Sequence, residues 1–345
     1  PTTWNQRIGP KTLVIIDEAG MADTISLDQA VTYILNRGGS VRLIGDDQQL
    51  AAIGAGGVLR DIQAHHGALR LTELLRFTDP AEGSASLALR EGQPAALGFY
   101  LDQHRIHVGD ETTMADHLFD AWTTDRNNGR DTIMLAGTRE RVAELNQRAR
   151  TQRLNGHDPQ EEVELADGNR ASIGDTIITR QNNRLLRVAT NDWVKNGDRW
   201  TVTGTTRTGG LQARHTQSGR HVTLPADYVA EQVELGYAST IHTAQGITAD
   251  TVHGLLTGTE TRQQAYTMLT RGRHHNAAYL VVVGDGDPHT AINPETINPP
   301  TPTNILETIL ARDESPVSAT TQLRDAHNPA LQLGPAVARY NDALS

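Results

Sequence analysis

Cysteine is absent from the chain, which removes disulfides, thiolate metal centres and cysteine nucleophiles from consideration and fits a reducing compartment. No apolar run approaches the ~20 residues that a membrane helix needs. The longest, around "AAYLVVV", reads as a buried strand. No signal-like pattern opens the sequence, and no fixed-period repeat runs through it. A basic excess is missing too. The formal net charge is -10, so the surface is not coated in positive charge, although a nucleic-acid groove needs only local Lys/Arg and backbone donors. What is present is a chain of 345 residues, 37% of them hydrophobic, enough for two or three domains with buried cores.

A phosphate-binding loop is the most consequential absence. Such a loop reads G-x-x-x-x-G-K-[ST], follows a strand and opens a helix. The stretch "GPKT" at Gly9–Thr12 looks briefly like its end, but residues 1–8 contain no glycine and Trp4 stands where the first would be. Pro10 removes a backbone N–H where a phosphate loop relies on donors, and a strand follows rather than a helix. Lys11 is therefore read as a lysine before a strand, and no downstream stretch fits the pattern.

The first third alternates apolar runs with helical periodicity, as βα units do. "TLVIIDEAG" is one strand and its turn. "SLDQAVTYILNRGG" puts Leu27, Ala30, Val31, Ile34 and Leu35 on one helical face, with Ser26 and Gln29 at capping-box spacing and Gly38-Gly39 as the stop. "VRLIGDDQQL" is a second strand. Two strands with acidic tips predict a parallel sheet whose carboxyl edge carries the chemistry. Residues 80–130 read as mostly helical. A further αβ layer starts with strand Thr132–Ala136 and a helix capped by Thr138. From Val163 to Glu234 the runs are short and β-rich with Gly-containing turns, predicting a small β-barrel-like insertion. The αβ pattern then resumes until a Pro-rich stretch.

Asp17 and Glu18 end a hydrophobic strand. In nucleotide hydrolases that position lets the Asp hold Mg²⁺, usually through water, while the Glu orients or deprotonates the attacking water. Alone, the pair is better read as turn-capping carboxylates, which are common. "GDDQQL" gives Gln49 as a sensor of the terminal phosphate, or else a polar turn. The order of the two strands with one helix between them favours the chemical reading. His65-His66 and His274-His275 do not read as metal ligands, because adjacent side chains diverge and no Cys or acidic partner shows zinc-like spacing.

"DEAGM", "GDDQQL", "LTELLRF", "YASTIHTAQGIT" and "YTMLTRGRHHN" occur in the order of motifs II to VI of superfamily 1 helicases. The chain from about Leu13 to Val283 resembles the RecD-like branch, and within it the helicase half of conjugative relaxases of the TraA/TrwC type. The resemblance implies α/β RecA-like P-loop NTPase lobes with parallel sheets, the first incomplete, plus an SH3-like barrel. It implies a partial lobe 1A with a helical extension over 1–130, lobe 2A over 131–162 and 235–284, the barrel at 163–234, a linker at 285–303 and a helical tail at 304–345. It assigns Arg76 and Arg271 to the γ-phosphate, with Arg273 less favoured, Gln245 and Gly246 to ATP, and His242 and Thr243 to single-stranded DNA. The function implied is ATP- and Mg²⁺-dependent 5′→3′ movement on single-stranded DNA in the bacterial cytoplasm. Motif I, and any relaxase domain, would precede Pro1 in a longer parent. The partners implied are single-stranded DNA, the missing N-terminal relaxase and motif I portion, and other conjugation proteins. The alternative is a non-catalytic remnant or split-gene product that binds DNA or a partner helicase. In the barrel, Arg180, Arg184, Arg187, Lys195 and Arg199 are candidates to steer DNA and Trp193 or Trp200 to stack on it, weighed equally against solvated charge and a core tryptophan.

Overall fold

The computed structural model describes residues 8–46, 57–71, 76–159, 161–283, 301–314 and 317–328, with positions 333 and 337. Backbone proximity divides the chain into two units, 1–73 with 313–345, and 74–312. The expected boundary at 130 thus falls inside the second unit, for a reason given below.

In the first unit, β1 (Leu13–Ile16) and β2 (Ser40–Leu43) pair in parallel around α1 (Thr24–Leu35). The helix starts two residues before Ser26. Asp23 is its cap, in extended backbone and accepting the Ser26 N–H at 2.9 Å, while the expected serine lies inside the first turn. Gly38 takes φ 76° at the expected stop. Leu27 and Ile34 are buried, whereas Ala30 and Leu35 stay exposed. Alternate residues of β1 also remain in solvent, Leu13 at 55% and Ile15 at 58%. Helix α2 (Val58–His66) completes the element order here, and the tail helix Ala319–Ala326 joins the same unit through Thr321 Oγ1, which donates to Asp61 at 3.0 Å.

The second unit opens with α3 (Pro80–Arg90), α4 (Ala96–Asp102), β3 (Ile106–Asp110) and α5 (Glu111–Asn127). Next come β4 (Thr132–Ala136) and α6 (Arg139–Leu154). The insertion holds β5 (Val163–Glu164), β6 (Arg170–Ala171), β7 (Thr176–Thr179), β8 (Asn183–Ala189) and β9 (Asp192–Val194). It continues with β10 (Arg199–Thr205), β11 (Leu211–His215), β12 (His221–Leu224), α7 (Ala226–Gln232) and β13 (Val233–Leu235). The lobe resumes with β14 (Ala238–Thr240), β15 (Ala249–Leu256), α8 (Arg262–Met268) and β16 (Gly272–Val283). Past residues 284–300, which lie outside the described set, α9 (Pro302–Ala311) begins within the expected linker, because Thr301 caps it and Pro302 suits its first turn.

Five strands form one wholly parallel sheet in the order β14-β4-β15-β16-β3. Its interior strand β4 is buried throughout, as a strand covered on both faces must be. Strand β3 pairs with β16 and α5 packs on the same sheet, which is why residues before 130 belong to this lobe. The insertion is an antiparallel sheet β12-β11-β10-β7-β13 with two small hairpins, β5-β6 and β8-β9.

Barrel and lobe share one core, in which Trp122, Phe119 and Leu118 of α5 are continuous with Trp200, Ile177 and Leu235 of the barrel. The seam is locked by Asp175, which is 0% exposed. Arg153 of α6 grips both its oxygens at 2.7 and 2.9 Å, and the Tyr237 hydroxyl donates to it at 2.5 Å. Burial, and then the Asp175 charge, pushes the Tyr237 hydroxyl up to about 12, so it stays a donor. Gly236 passes so close to β7 that a Cβ there would lie 2.7 Å from the Ile177 carbonyl carbon.

Under α5 lies a cavity of about 380 Å³ lined by His107, His117, His253, His275, Asp125 and Tyr279. His253 bridges Asp125 at 3.0 Å and the Tyr279 hydroxyl at 3.1 Å. Burial, and then Arg105, lowers His275 to about 4. Burial works against the Asp125 carboxylate, but the His253 contact prevails and holds it at about 2.

Two outcomes follow from this packing. Asp175→Asn removes the charge that Arg153 and Arg150 face, and should cost about 3 kcal/mol in urea unfolding, against about 1 kcal/mol for Tyr237→Phe. A loss under about 1 kcal/mol for Asp175→Asn would show that the lock adds little. His275 is neutral in the fold and protonates more readily when unfolded, so its contribution is intact above pH 6.5 and is lost as pH falls toward 4. The melting temperature should drop across that window in the native chain and drop less in His275→Gln.

Candidate functional site

The parallel register pairs Ile16 with Leu43, so Asp17-Glu18 and Gly45-Asp46 leave the same edge of the small sheet. Their turns touch through the backbone: the Ala19 N–H donates to the Ile44 carbonyl at 2.8 Å. A Cβ on Gly45 would lie 3.0 Å from the Gly20 nitrogen, so this approach depends on glycine. Glu18 is held in the left-handed region, φ 53° and ψ 37°, a strain of ~1–2 kcal/mol for an L-residue. Asp17 accepts the Glu18 N–H through Oδ1 at 3.0 Å, and both carboxylates are exposed. Gln49 lies outside the described residues.

"GPKT" is a turn into β1. The Thr12 N–H donates to the Gly9 carbonyl at 2.9 Å, and the Gly9 N–H donates to Thr12 Oγ1 at 3.1 Å. The Gly9 donor is thus used inside the turn, and Pro10 sits where a turn favours it.

In the second unit, motif IV is clasped onto motif VI. Arg76 donates through Nη1 to the Thr270 carbonyl at 2.6 Å, the Thr78 N–H to the Arg273 carbonyl at 3.0 Å, and Thr78 Oγ1 bonds His274 at 2.9 Å. Arg271 is 2% exposed, with Nε on the Thr267 carbonyl at 3.0 Å and Nη2 on Thr270 Oγ1 at 2.9 Å. Arg273, two residues on, is exposed. His274 and His275 do diverge, the first to Thr78 and the second to the cavity under α5.

Sequence reasoning missed what fixes this turn. Asn276, 0% exposed, accepts the Gly272 N–H at 2.7 Å and donates to Glu82 Oε1 at 2.8 Å. Burial raises Glu82, against Asn276 and Arg105. The two residues are 194 positions apart, so no local spacing signals the pair.

Motif V takes in β14 and the turn after it. Thr243 is exposed, and its hydroxyl meets Ser239 Oγ and Thr240 Oγ1, each at 2.7 Å. His242 is exposed, Gln245 half-buried, and Gly246 takes φ 81°. In the barrel Trp200 is a core residue at 0% exposure, while Arg184 sits 4.9 Å from the half-buried Trp193 ring. Of the expected DNA-steering residues, Arg180 pairs with Glu234 at 2.6 Å, Lys195 with Asp192 at 2.7 Å, and Arg199 is buried against Asp131. Arg187 donates to the Thr190 carbonyl at 3.0 Å.

The fold and these loops define a RecA-like α/β protein with an SH3-like barrel. An AAA domain family matches residues 2–111, and the Rv2311 SH3-like barrel domain family matches 163–234. A Bacteroides Pif1 helicase structure, solved with ADP-AlF3 and single-stranded DNA, has a TM-score of 0.52 at 17% identity, covering 78% of this chain and 70% of that one. At that identity the likeness is one of fold alone. A probable conjugal transfer protein TraA of Sinorhizobium fredii is 28% identical over 80% of this chain. The conjugal transfer protein TraA of Agrobacterium fabrum is 29% identical over 80%. The chain spans 25% of the length of each of these relatives. It thus resembles a TraA-type relaxase/helicase region over most of its length.

Asn276→Ala leaves the buried Glu82 carboxyl and the Gly272 N–H without their partner, and should cost about 2–3 kcal/mol in thermal unfolding. Asn276→Asp, which keeps the acceptor but sets a second acid beside Glu82, should be no better. A neutral result for both would remove the pair from the account of the motif VI turn.

Proposed function

We propose that the chain supplies motifs II to VI of an ATP-dependent helicase or translocase that moves 5′→3′ on single-stranded DNA, as part of a conjugative relaxase-helicase working in the bacterial cytoplasm. The observation that carries this reading is the common edge on which Asp17-Glu18 and Gly45-Asp46 meet. Glu18 is the base for the attacking water, exposed and held in a strained backbone that fixes its direction. Asp17, exposed with only a backbone N–H on Oδ1 among its described bonds, fits water-bridged Mg²⁺. When bound, Mg²⁺ neutralises charge on the phosphate oxygens.

Arg76 and Arg271 are assigned to the transferred phosphoryl, Gln49, Gln245 and Gly246 to ATP, and His242 and Thr243 to the DNA backbone. Short polar side chains such as Thr243 suit phosphate contacts that grip without reading sequence. Arg273, also expected at ATP, takes a different assignment below. The phosphate-binding loop is proposed to lie upstream in a longer parent, where its strand would also cover the apolar side chains that β1 exposes, Leu13 and Ile15.

A second reading, a non-catalytic piece that binds DNA or a partner helicase, is favoured by the closed turn of "GPKT". In a chain joined to a phosphate-loop segment, Glu18→Gln should lower DNA-stimulated hydrolysis by ~10²-fold or more while ATP still binds. Undiminished turnover would take Glu18 out of the mechanism. If no such chain hydrolyses ATP, yet this one binds single-stranded DNA with a steep salt slope, the second reading holds.

A further inference from the structure

Where barrel and parallel sheet meet, a cavity of about 510 Å³ opens between the end of α5, barrel strands β7, β10 and β11, and the starts of β15 and β16. Five arginines and two aspartates line it. The aspartates are engaged: Asp131 holds the buried Arg199, and Asp250 accepts the Asp131 N–H at 3.0 Å. Arg130 is paired with Asp125 at 2.7 Å. Among the described residues, no carboxylate pairs with Arg126 of α5, Arg214 of β11 or Arg273 of β16. Arg126 is instead fixed over two rings, 4.7 Å from Tyr237 and 5.3 Å from Trp122, which orients its guanidinium without neutralising it.

Two further features of the wall point to a ligand. Trp122 and Thr132 are 2% and 7% exposed, and Trp122 Nε1 and Thr132 Oγ1 are buried polar atoms with no hydrogen-bond partner. Buried polar groups are nearly always satisfied, and indole N–H is a donor only, so the missing partner is an acceptor. Acceptor oxygens carrying negative charge, matched to planar guanidinium forks, describe a phosphate group. The volume lies within the range of small-ligand pockets.

We propose that this seam cavity is a binding site for a phosphate-bearing anion, held by Arg126, Arg214 and Arg273 with Trp122 Nε1 and Thr132 Oγ1 as inner contacts. This is separate from the nucleotide reading above and assigns Arg273 to the seam. The phosphate is either that of a free anion, such as pyrophosphate or a nucleotide, or a phosphodiester of a DNA strand. Its contacts come from both lobe and barrel, so occupancy ties one to the other.

The test uses the full chain in low-salt buffer without Mg²⁺. Pyrophosphate is titrated calorimetrically and by thermal shift into the native chain, Arg214→Ala and Arg214→Glu. Arg214 is exposed, so neither variant should unfold the barrel, and circular dichroism checks this. A free-anion site predicts saturable binding with a raised melting temperature, weakened ~10-fold or more by Arg214→Ala and lost in Arg214→Glu. If pyrophosphate does not bind, a dT oligonucleotide bound by the native chain, weakened by Arg214→Ala and weakened further by Arg214→Glu, identifies the phosphodiester source. Binding of either probe unchanged in both variants, or of neither probe to the native chain, overturns the proposal.

Discussion

The buried carboxylate of Asp175 is the point on which the second unit turns. A charge at 0% exposure is tolerated only when its oxygens are saturated. Here Arg153 takes both at 2.7 and 2.9 Å, Arg150 approaches at 3.4 Å, Tyr237 donates at 2.5 Å and the Ser172 N–H at 2.8 Å. The arginines belong to α6, the serine to the barrel, and the tyrosine to the return into β14. Three segments distant in sequence are thus required to coincide at one atom group. The shared apolar core then sees the barrel and the parallel sheet as one interior, and the barrel is a fixed wall of the lobe rather than a tethered appendage.

That rigidity extends to the loops with proposed chemistry. The motif VI turn is held from within by Asn276 and Glu82 and from outside by Arg76 and Thr78. Motifs II and III are held by contact between their glycines. In each case the polar residues that the motifs name are positioned by backbone carbonyls and N–H groups, whose geometry is fixed once the strands are in register. Side chains that look interchangeable in sequence are separated by this framework: Arg271 is buried in its own turn while Arg273, two residues along, reaches a different cavity.

Much of this was legible from local pattern. Strand Thr132–Ala136, the helix after Thr138 and the β-rich span from Val163 to Glu234 follow from apolar periodicity and turn residues, because each is decided within a few residues of itself. The sheet partner of Ile106–Asp110 was not legible, since a short strand inside a helical stretch carries no sign of where it pairs. The cap of α1 moved from Ser26 to Asp23 because both residues satisfy the same rule and only geometry chooses. Among candidate site residues, exposure separated those that composition could not: Trp200 went to the core and Arg199 to a buried pair, while Trp193 kept a partly open face. The structural roles of Asp175, Tyr237, Glu82 and Asn276 are not carried by local pattern, as they lie in partners up to 194 positions away.

The chain order of the parallel sheet has a consequence for how the molecule is made. Strand β4 ends at Ala136, but its two neighbours begin only at Ala238 and Ala249, with the whole barrel between. During synthesis its apolar residues therefore wait for about a hundred more to emerge, and loop closure over that distance is slow. A barrel that closes early shortens the wait. The Ala166 N–H, which donates to the Val233 carbonyl at 2.9 Å, brings the two ends of the insertion together, and the Gly236 N–H bonded to the Thr176 carbonyl at 2.9 Å delivers β14 to the side of β4. The insertion then acts as a folding template for the lobe that carries it.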